Sequence, residues 1–301
     1  MSIIPRWLPA AILCCSVFSA AGTVRYTARF DYDSRLLFSS NFEGNEEIYL
    51  LTRDGLTRMT THPAVDQWPV PDPKGEQFVF TSDREGNYDI FAMDIRSRKI
   101  RQLTSDPRDE MAPSWSADGR FVYYDLTIRK NTGRTMKLDT RTGTSERLFP
   151  NCPFNNTITA FESGRGGAIF FTGKAFLGWI VAKYDPKNGR YSELTGQGSC
   201  RPKISPDGLR IAYVCHDDDG LGDVFLMNAD GGEKVNRTPG RVLYHDYYPC
   251  FSPSGDMIVF CSSPKTKGKD AYQIYSLNLK TGEVRSIFSA EGNNRFPYWF
   301  R

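Results

Sequence analysis

The stretch Pro202-Lys-Ile-Ser-Pro-Asp-Gly208, followed by Leu209-Arg-Ile-Ala-Tyr-Val214, decides the fold. Pro206 brings the fixed φ wanted at the second position of a type I turn, and Gly208 suits the fourth. A short strand before the turn and a β-rich run after it make a hairpin. The phrase returns as Pro113-Ser-Trp-Ser-Ala-Asp-Gly119 and Pro249-Cys-Phe-Ser-Pro-Ser-Gly255, more loosely over Pro69 to Gly75, and in degenerate form from Thr159 to Gly164. The chain ends on Pro297-Tyr-Trp-Phe-Arg301, which begins the phrase and stops. The markers at 69, 113, 159, 202, 249 and 297 stand 43 to 48 residues apart, the period of a repeat architecture.

Each unit carries the same order of segments. After the turn come an apolar run (Gln77-Phe-Val-Phe-Thr81), a polar loop (Ser82-Asp-Arg-Glu-Gly-Asn87) and a third strand (Asp89-Ile-Phe-Ala-Met93). A second turn then leads to a last strand ending in Leu-Thr, as in Arg101-Gln-Leu-Thr104 and Ser192-Glu-Leu-Thr195. No segment sustains a helical apolar stripe. Four short strands per unit and six units predict an all-β fold, a six-bladed β-propeller of four-stranded antiparallel blades. Two segments compete to supply the first strand of blade one. Arg29 to Arg35 aligns without gaps to Ser114 to Arg120, but Phe296 to Arg301 keeps the hallmark Pro297 and Trp299. The C-terminal strand is therefore expected to close the ring and remove its open edge.

The first 21 residues read as an export leader: a singly basic start to Arg6, an apolar stretch from Trp7 to Phe18, and Ser19-Ala20-Ala21 as a cleavage site before Gly22. The apolar run is too short to span a bilayer and Pro9 interrupts it, and no later segment resembles a membrane span. The mature chain, residues 22–301, is expected to be a single propeller in the periplasm or outside the cell. The full sequence has 38 Lys and Arg against 35 Asp and Glu, a net charge of +3, too even for a protein that neutralises nucleic-acid phosphate. Five cysteines remain after the leader, an odd number. The hairpin reading sets Cys200 opposite Cys215 as the one candidate disulfide.

These units resemble the TolB-type propeller repeat, a relative of the WD40 blade without its Trp-Asp signature. The closest segments are Leu103-Thr-Ser-Asp-Pro107 with Pro113 to Gly119, and Phe80-Thr-Ser-Asp-Arg-Glu-Gly-Asn-Tyr-Asp-Ile-Phe91. Units three and four are eroded. TolB carries an α/β domain before its propeller, and only about a dozen residues stand between the leader and Arg35, so that domain is not expected here. The resemblance implies a non-catalytic module that binds a protein or peptide of the cell envelope. It also implies that a cation such as Ca2+ can sit in the channel.

Three residues before each marker stands a short polar or acidic residue: Asp66, Glu110, Asn156, Ser199, Asp246 and Asn294. They are expected either to ring the channel, with Asp66, Glu110 and Asp246 as metal ligands, or to cap their own junction turns. Loops between strands two and three share a face with the blade junctions, where recognition sites are expected. Phe176 and Trp179, flanking Leu177, sit in such a loop, and apolar residues at a blade tip mark contacts. His245, Tyr247, Tyr248 and Trp68 cluster at junctions and suit a peptide or sugar. The acid-rich loop His216 to Asp223 lacks EF-hand spacing. The alternative is a metal-dependent enzyme acting on acidic oligosaccharides in the channel. It would need His62, His245 and Gln67 together, and no His-Glu-x-x-His or Cys-x-x-Cys spacing supports it.

Overall fold

The computed structural model describes residues 12–19, 22–29, 34–129, 132–149, 151–154, 157–162, 166–216, 220–241, 243–267 and 271–301. They form six antiparallel sheets, five of four strands and one extended to six. The innermost strands of blades one to six are Asn294–Phe300, Asp66–Pro71, Glu110–Trp115, Thr157–Glu162, Ser199–Ile204 and Tyr244–Phe251. Blade one is closed by the C-terminal strand, whose Asn294 and Phe300 pair with Ser40 and Arg35. Of the N-terminal competitor, residues 30–33 lie outside the described residues, and Arg35 begins the second strand of blade one. Gly22–Arg29 joins the outer edge of blade six beside Val284–Ala290, and Ile12–Ser19 pairs beyond it.

The apolar runs are continuous because both faces of a blade are covered. In Gln77–Ser82, Phe78 and Phe80 turn towards blade one, among Leu37, Leu50 and Phe300. Val79, the next side chain along, turns the other way, towards Trp115, Val122 and Tyr124 of blade three. Alternation thus fills two interfaces from one strand. Six buried clusters correspond to the six interfaces, including one between blades six and one that joins Phe288 and Val259 to Leu36, Phe38 and Trp299. A ring closed this way has no blade left uncovered.

The marker turns are built as their residues require. Gly208 N–H donates to the Ser205 carbonyl at 2.8 Å, the Ser205 hydroxyl donates to Asp207 at 2.5 Å, and Gly208 takes a φ of 73°. Ser116, Asp118 and Gly119 repeat that arrangement. The Leu-Thr endings have a role as well. Thr60, Thr104, Thr195 and Thr238, at these endings or their equivalents, each accept a buried N–H of the third strand of their own blade, at 2.9–3.0 Å. A hydroxyl there satisfies a donor that would otherwise be buried alone.

The expected Cys200–Cys215 disulfide is not formed, and all five cysteines described are free. Near the turn the pairing is Ile204 with Ile211 and Lys203 with Ala212, a register that would carry Cys200 to Cys215. A bulge between Cys200 and Lys203 slips it by one, so Cys200 faces Val214 and Cys215 faces Ser199. A one-residue slip sends the two sulfurs to opposite sides of the sheet.

Candidate functional site

Every innermost strand carries a register shift at its marker position. In five blades the residue just before the marker proline is left-handed: Trp68, Ala112, Arg201, Tyr248 and Phe296, with φ between 51° and 57°. These are five of the eight non-glycine residues with positive φ among those described. Left-handed backbone costs a non-glycine residue on the order of 1 kcal/mol, so five strained positions in register mark a constraint on the channel. The bulge turns these side chains onto the axis. Trp68 and Phe296 have ring centroids 4.3 Å apart, and Tyr248 and Phe296 4.5 Å. The Arg201 guanidinium lies 4.3 Å from the Tyr248 centroid.

Two residues further along, the next side chains form a second layer. Lys203 Nζ stands 3.4 Å from the Phe161 ring centroid and 4.2 Å from that of Tyr298. Between the layers remains a void of about 40 Å3. Towards the Ser-Pro-Asp-Gly turns the channel opens into a recess of about 480 Å3, which Lys203 also lines. Burial pushes the Lys203 ammonium down to about 7.

The acidic junction residues do not meet on the axis. Asp66 is fully buried and takes the Arg84 guanidinium on both carboxylate oxygens at 2.9 Å. Asp246 accepts Arg241 Nε at 2.9 Å, and Arg241 also donates to Ser262 at 2.7 Å. Asn294 is held by Ser40 and the Tyr272 carbonyl, and Ser199 lies on Cys215. Asn156 lies outside the described residues. Each of these side chains is thus engaged at its own junction. Among the described residues no group of three or more His, Cys, Asp or Glu side chains stands close enough to hold a metal ion. The small void between the layers is lined by two cations and no carboxylate, which does not fit Ca2+.

Glu110 differs from Asp66 and Asp246 because, among the described residues, no arginine hydrogen-bonds it. Burial raises its carboxyl to about 7, and it hydrogen-bonds Asp89, whose own carboxyl burial also raises. The folded chain therefore keeps a proton on Glu110 that the unfolded chain releases near 4.5. Its contribution to stability falls as pH rises from about 4.5 to 7 and stays unfavourable above that range. Glu110→Gln, which mimics the protonated acid, is expected to stabilise the protein by about 2 kcal/mol at pH 8 and by little at pH 4. Thermal melts at the two pH values check this, and equal gains at both would rule it out.

Of the aromatic candidates, Trp68 and Tyr248 enter the channel, while Tyr247 and His245 stay at the interface of blades five and six. Tyr247 is hydrogen-bonded to His216 and packs near Tyr272 and His245, with centroids 6.2 and 6.3 Å away. His62 sits in an exposed loop, accepting the Ala64 N–H at 3.1 Å. Gln67 is buried beside the Trp68 bulge. The hairpin Ile169–Ala175 to Gly178–Asp185 ends in a tight turn at Phe176 and Leu177, which are 99% and 68% exposed. Trp179 is half-buried, with Lys174 5.6 Å from its ring. Arg201, Lys203 and Phe296 were not singled out in the sequence. Their signal was position: each stands immediately before or after a marker proline, where the bulge redirects the strand.

A closed six-bladed ring with a plugged axial channel defines the class. Residues 18–170 match the family model of the TolB beta propeller domain, and the chain belongs to that family. It is 30% identical over 187 residues to an uncharacterized protein of Agrobacterium fabrum, covering 57% of this chain and 62% of that one. It is 24% identical over 267 residues to the Tol-Pal system protein TolB of Francisella tularensis, covering 83% and 57% respectively. The chain thus spans about three-fifths of the length of these relatives. The crystal structure of TolB from Acinetobacter baumannii superposes with a TM-score of 0.78 at 20% identity, over 91% of this chain and 68% of that one. An oligogalacturonate lyase from Vibrio parahaemolyticus gives 0.54 at 14% identity, over 91% and 71%. At such identities the structural likeness speaks for the fold alone.

Proposed function

We propose that this chain is an exported, non-catalytic propeller of the cell envelope that docks a protein or peptide on its junction-loop face. On this reading residues 1–21 are a leader removed after Ala21, and residues 22–301 work in the periplasm. The observation that carries the proposal is the Phe176–Leu177 turn. Two large apolar side chains stand almost free in water at a blade tip. Ile128, in the corresponding hairpin of blade three, and Leu243, in the junction before blade six, are exposed on the same face. Exposed apolar side chains gathered on one face mark a protein contact. The relatives named for the Tol-Pal system are consistent with a partner in the envelope.

Photo-crosslinking in the intact envelope tests the reading. A crosslinkable residue at 176 is expected to trap a discrete protein partner, and Leu177→Asp is expected to cut the yield about tenfold without moving the melting temperature. Labelling spread evenly over many proteins, or unchanged by the Asp, would refute it.

A further inference from the structure

We propose that the Asp89–Glu110 pair is a proton-operated latch. Carrying one proton, it holds the loop of residues 105–109 against the junction of blades two and three, and on losing that proton it lets the loop go. The device belongs to the junction and does not depend on what docks on this face.

One backbone link recurs between consecutive blades. Asp66, Glu110 and Asn294 donate their N–H groups to the carbonyls of Glu46, Tyr88 and Tyr272, at 2.9, 2.6 and 2.9 Å. The residue after each carbonyl is the counterpart of the junction residue across the blades. Between blades six and one the two are Gln273 and Asn294, neutral amides joined by a hydrogen bond of 3.0 Å. Between blades one and two they are Glu47 and Asp66, and each acid has its own arginine, Arg58 at 2.7 Å and Arg84 at 2.9 Å. Between blades two and three they are Asp89 and Glu110, both 2% exposed and hydrogen-bonded to each other. Among the described residues their remaining partners are uncharged. Gln102 and Asn87 serve Asp89, while Thr104, the Asp106 N–H and Tyr124 serve Glu110. Two carboxyls share such a place only with a proton between them. Glu110 thus does with a proton what Asn294 does with an amide.

Glu110 is also the post to which the loop is tied. The Asp106 N–H donates to Glu110 Oε2 at 3.2 Å, and Asn87 Nδ2 donates to the Asp106 and Arg108 carbonyls at 2.9 and 3.2 Å. Arg108 is closed on Asp106, with Nε and Nη2 each 2.7 Å from a carboxylate oxygen, so its charge is already answered. Asp109 accepts the Tyr88 N–H at 3.2 Å, and burial keeps the Tyr124 hydroxyl neutral. Glu85 adds a further negative charge towards Asp89. An ionised Glu110 in this place has an acid beside it and no base of its own. It gains by turning out to water, and the tie to Asp106 goes with it. The latched acid titrates near 7 because of its burial, whereas a solvated one titrates near 4.5. Opening therefore releases a proton between those two values and is favoured as the pH rises through them. Above 7 both forms are ionised, and the dependence levels off.

Hydrogen exchange on the purified protein reads the latch once each rate is divided by its intrinsic rate at that pH. Protection of the segment 103–110 is expected to fall about fiftyfold from pH 5 to pH 8, most steeply below 7. The segment 289–294, at the amide junction, is expected to hold its protection over the same range. Glu110→Gln has no proton to lose there and is expected to keep 103–110 protected at pH 8. Asp89→Asn supplies an amide that can donate to an ionised Glu110, and is expected to shrink the fall to a few-fold. A flat profile in the unsubstituted protein would overturn the latch, and so would the same fall in Glu110→Gln. An unchanged fall in Asp89→Asn would overturn the pairing, and equal falls at 103–110 and 289–294 would show general loosening in place of a latch.

Discussion

Removal of residues 296–301 is expected to abolish the cooperative fold. This segment is the inner strand of blade one, yet it packs into three blades. Trp299 lies in the cluster between blades six and one with Leu36 and Phe288, and Phe300 lies between blades one and two with Leu37 and Phe78. Phe296 completes the channel collar against Trp68 and Tyr248. Phe296, Trp299 and Phe300 are 6%, 3% and 7% exposed, and burying each contributes about 2–3 kcal/mol. Together they are comparable with the whole net stability of an ordinary domain, about 5–15 kcal/mol. Deletion also strips Arg35, Leu36 and Leu37 of their partners and exposes that half of a buried strand as a bare edge, a template for aggregation. The truncated chain should appear in the insoluble fraction or elute as aggregate, without a sharp thermal transition. Trp299→Ala, which keeps the backbone pairing, should cost about 3–5 kcal/mol and leave a soluble protein. A truncated chain that melts cooperatively within a few degrees of the full one would show that the ring does not depend on this closure.

The ring itself was legible because its evidence is local and repeated. Pro206 fixes its own φ and Gly208 takes the positive φ that other residues avoid, and the phrase they belong to recurs at nearly constant spacing. The channel was not legible, because the device that builds it has no residue signature. Trp68, Ala112, Arg201, Tyr248 and Phe296 share a left-handed backbone but no intrinsic preference for it. The ring imposes that conformation where six inner strands crowd one axis. In simple alternation, Arg201 and Lys203 read as ordinary polar positions of a strand. The bulge instead puts both in the channel. The same bulge defeated the disulfide: counting back from the turn pairs Cys200 with Cys215, and one inserted residue parts them. The junction residues were legible in place but not in partner. Asp66 and Asp246 are answered by arginines from different loops, Arg84 after the second strand and Arg241 before the first. The three acids expected to ring the channel thus become two separate ion pairs and Glu110, hydrogen-bonded at its own junction.

Loss of that arginine in blade two should be the most damaging single change of charge in the molecule. Asp66 has no exposed surface, and one Arg84 nitrogen donates to both of its oxygens at 2.9 Å. Arg84 Nε donates to Ser82 at 3.0 Å, and the guanidinium lies 4.8 Å from the Phe91 centroid and 5.4 Å from that of Phe80. Ser82 is the residue paired with Asp66 across the hairpin, so one side chain ties the inner strand, the second strand and the loop that follows it. Removing one partner of a buried ion pair leaves a charge in low dielectric and costs about 3–5 kcal/mol, well above the worth of an exposed pair. Arg84→Met keeps most of the apolar stem over the two rings, so its loss should report the stranded carboxylate and not lost packing. The double variant Asp66→Asn with Arg84→Met removes the charge that was left behind, and should recover most of the loss. Chemical denaturation of the four proteins gives the cycle directly. If Arg84→Met costs less than about 1 kcal/mol, or if the double variant is as unstable as the single, the buried pair is not what holds this junction.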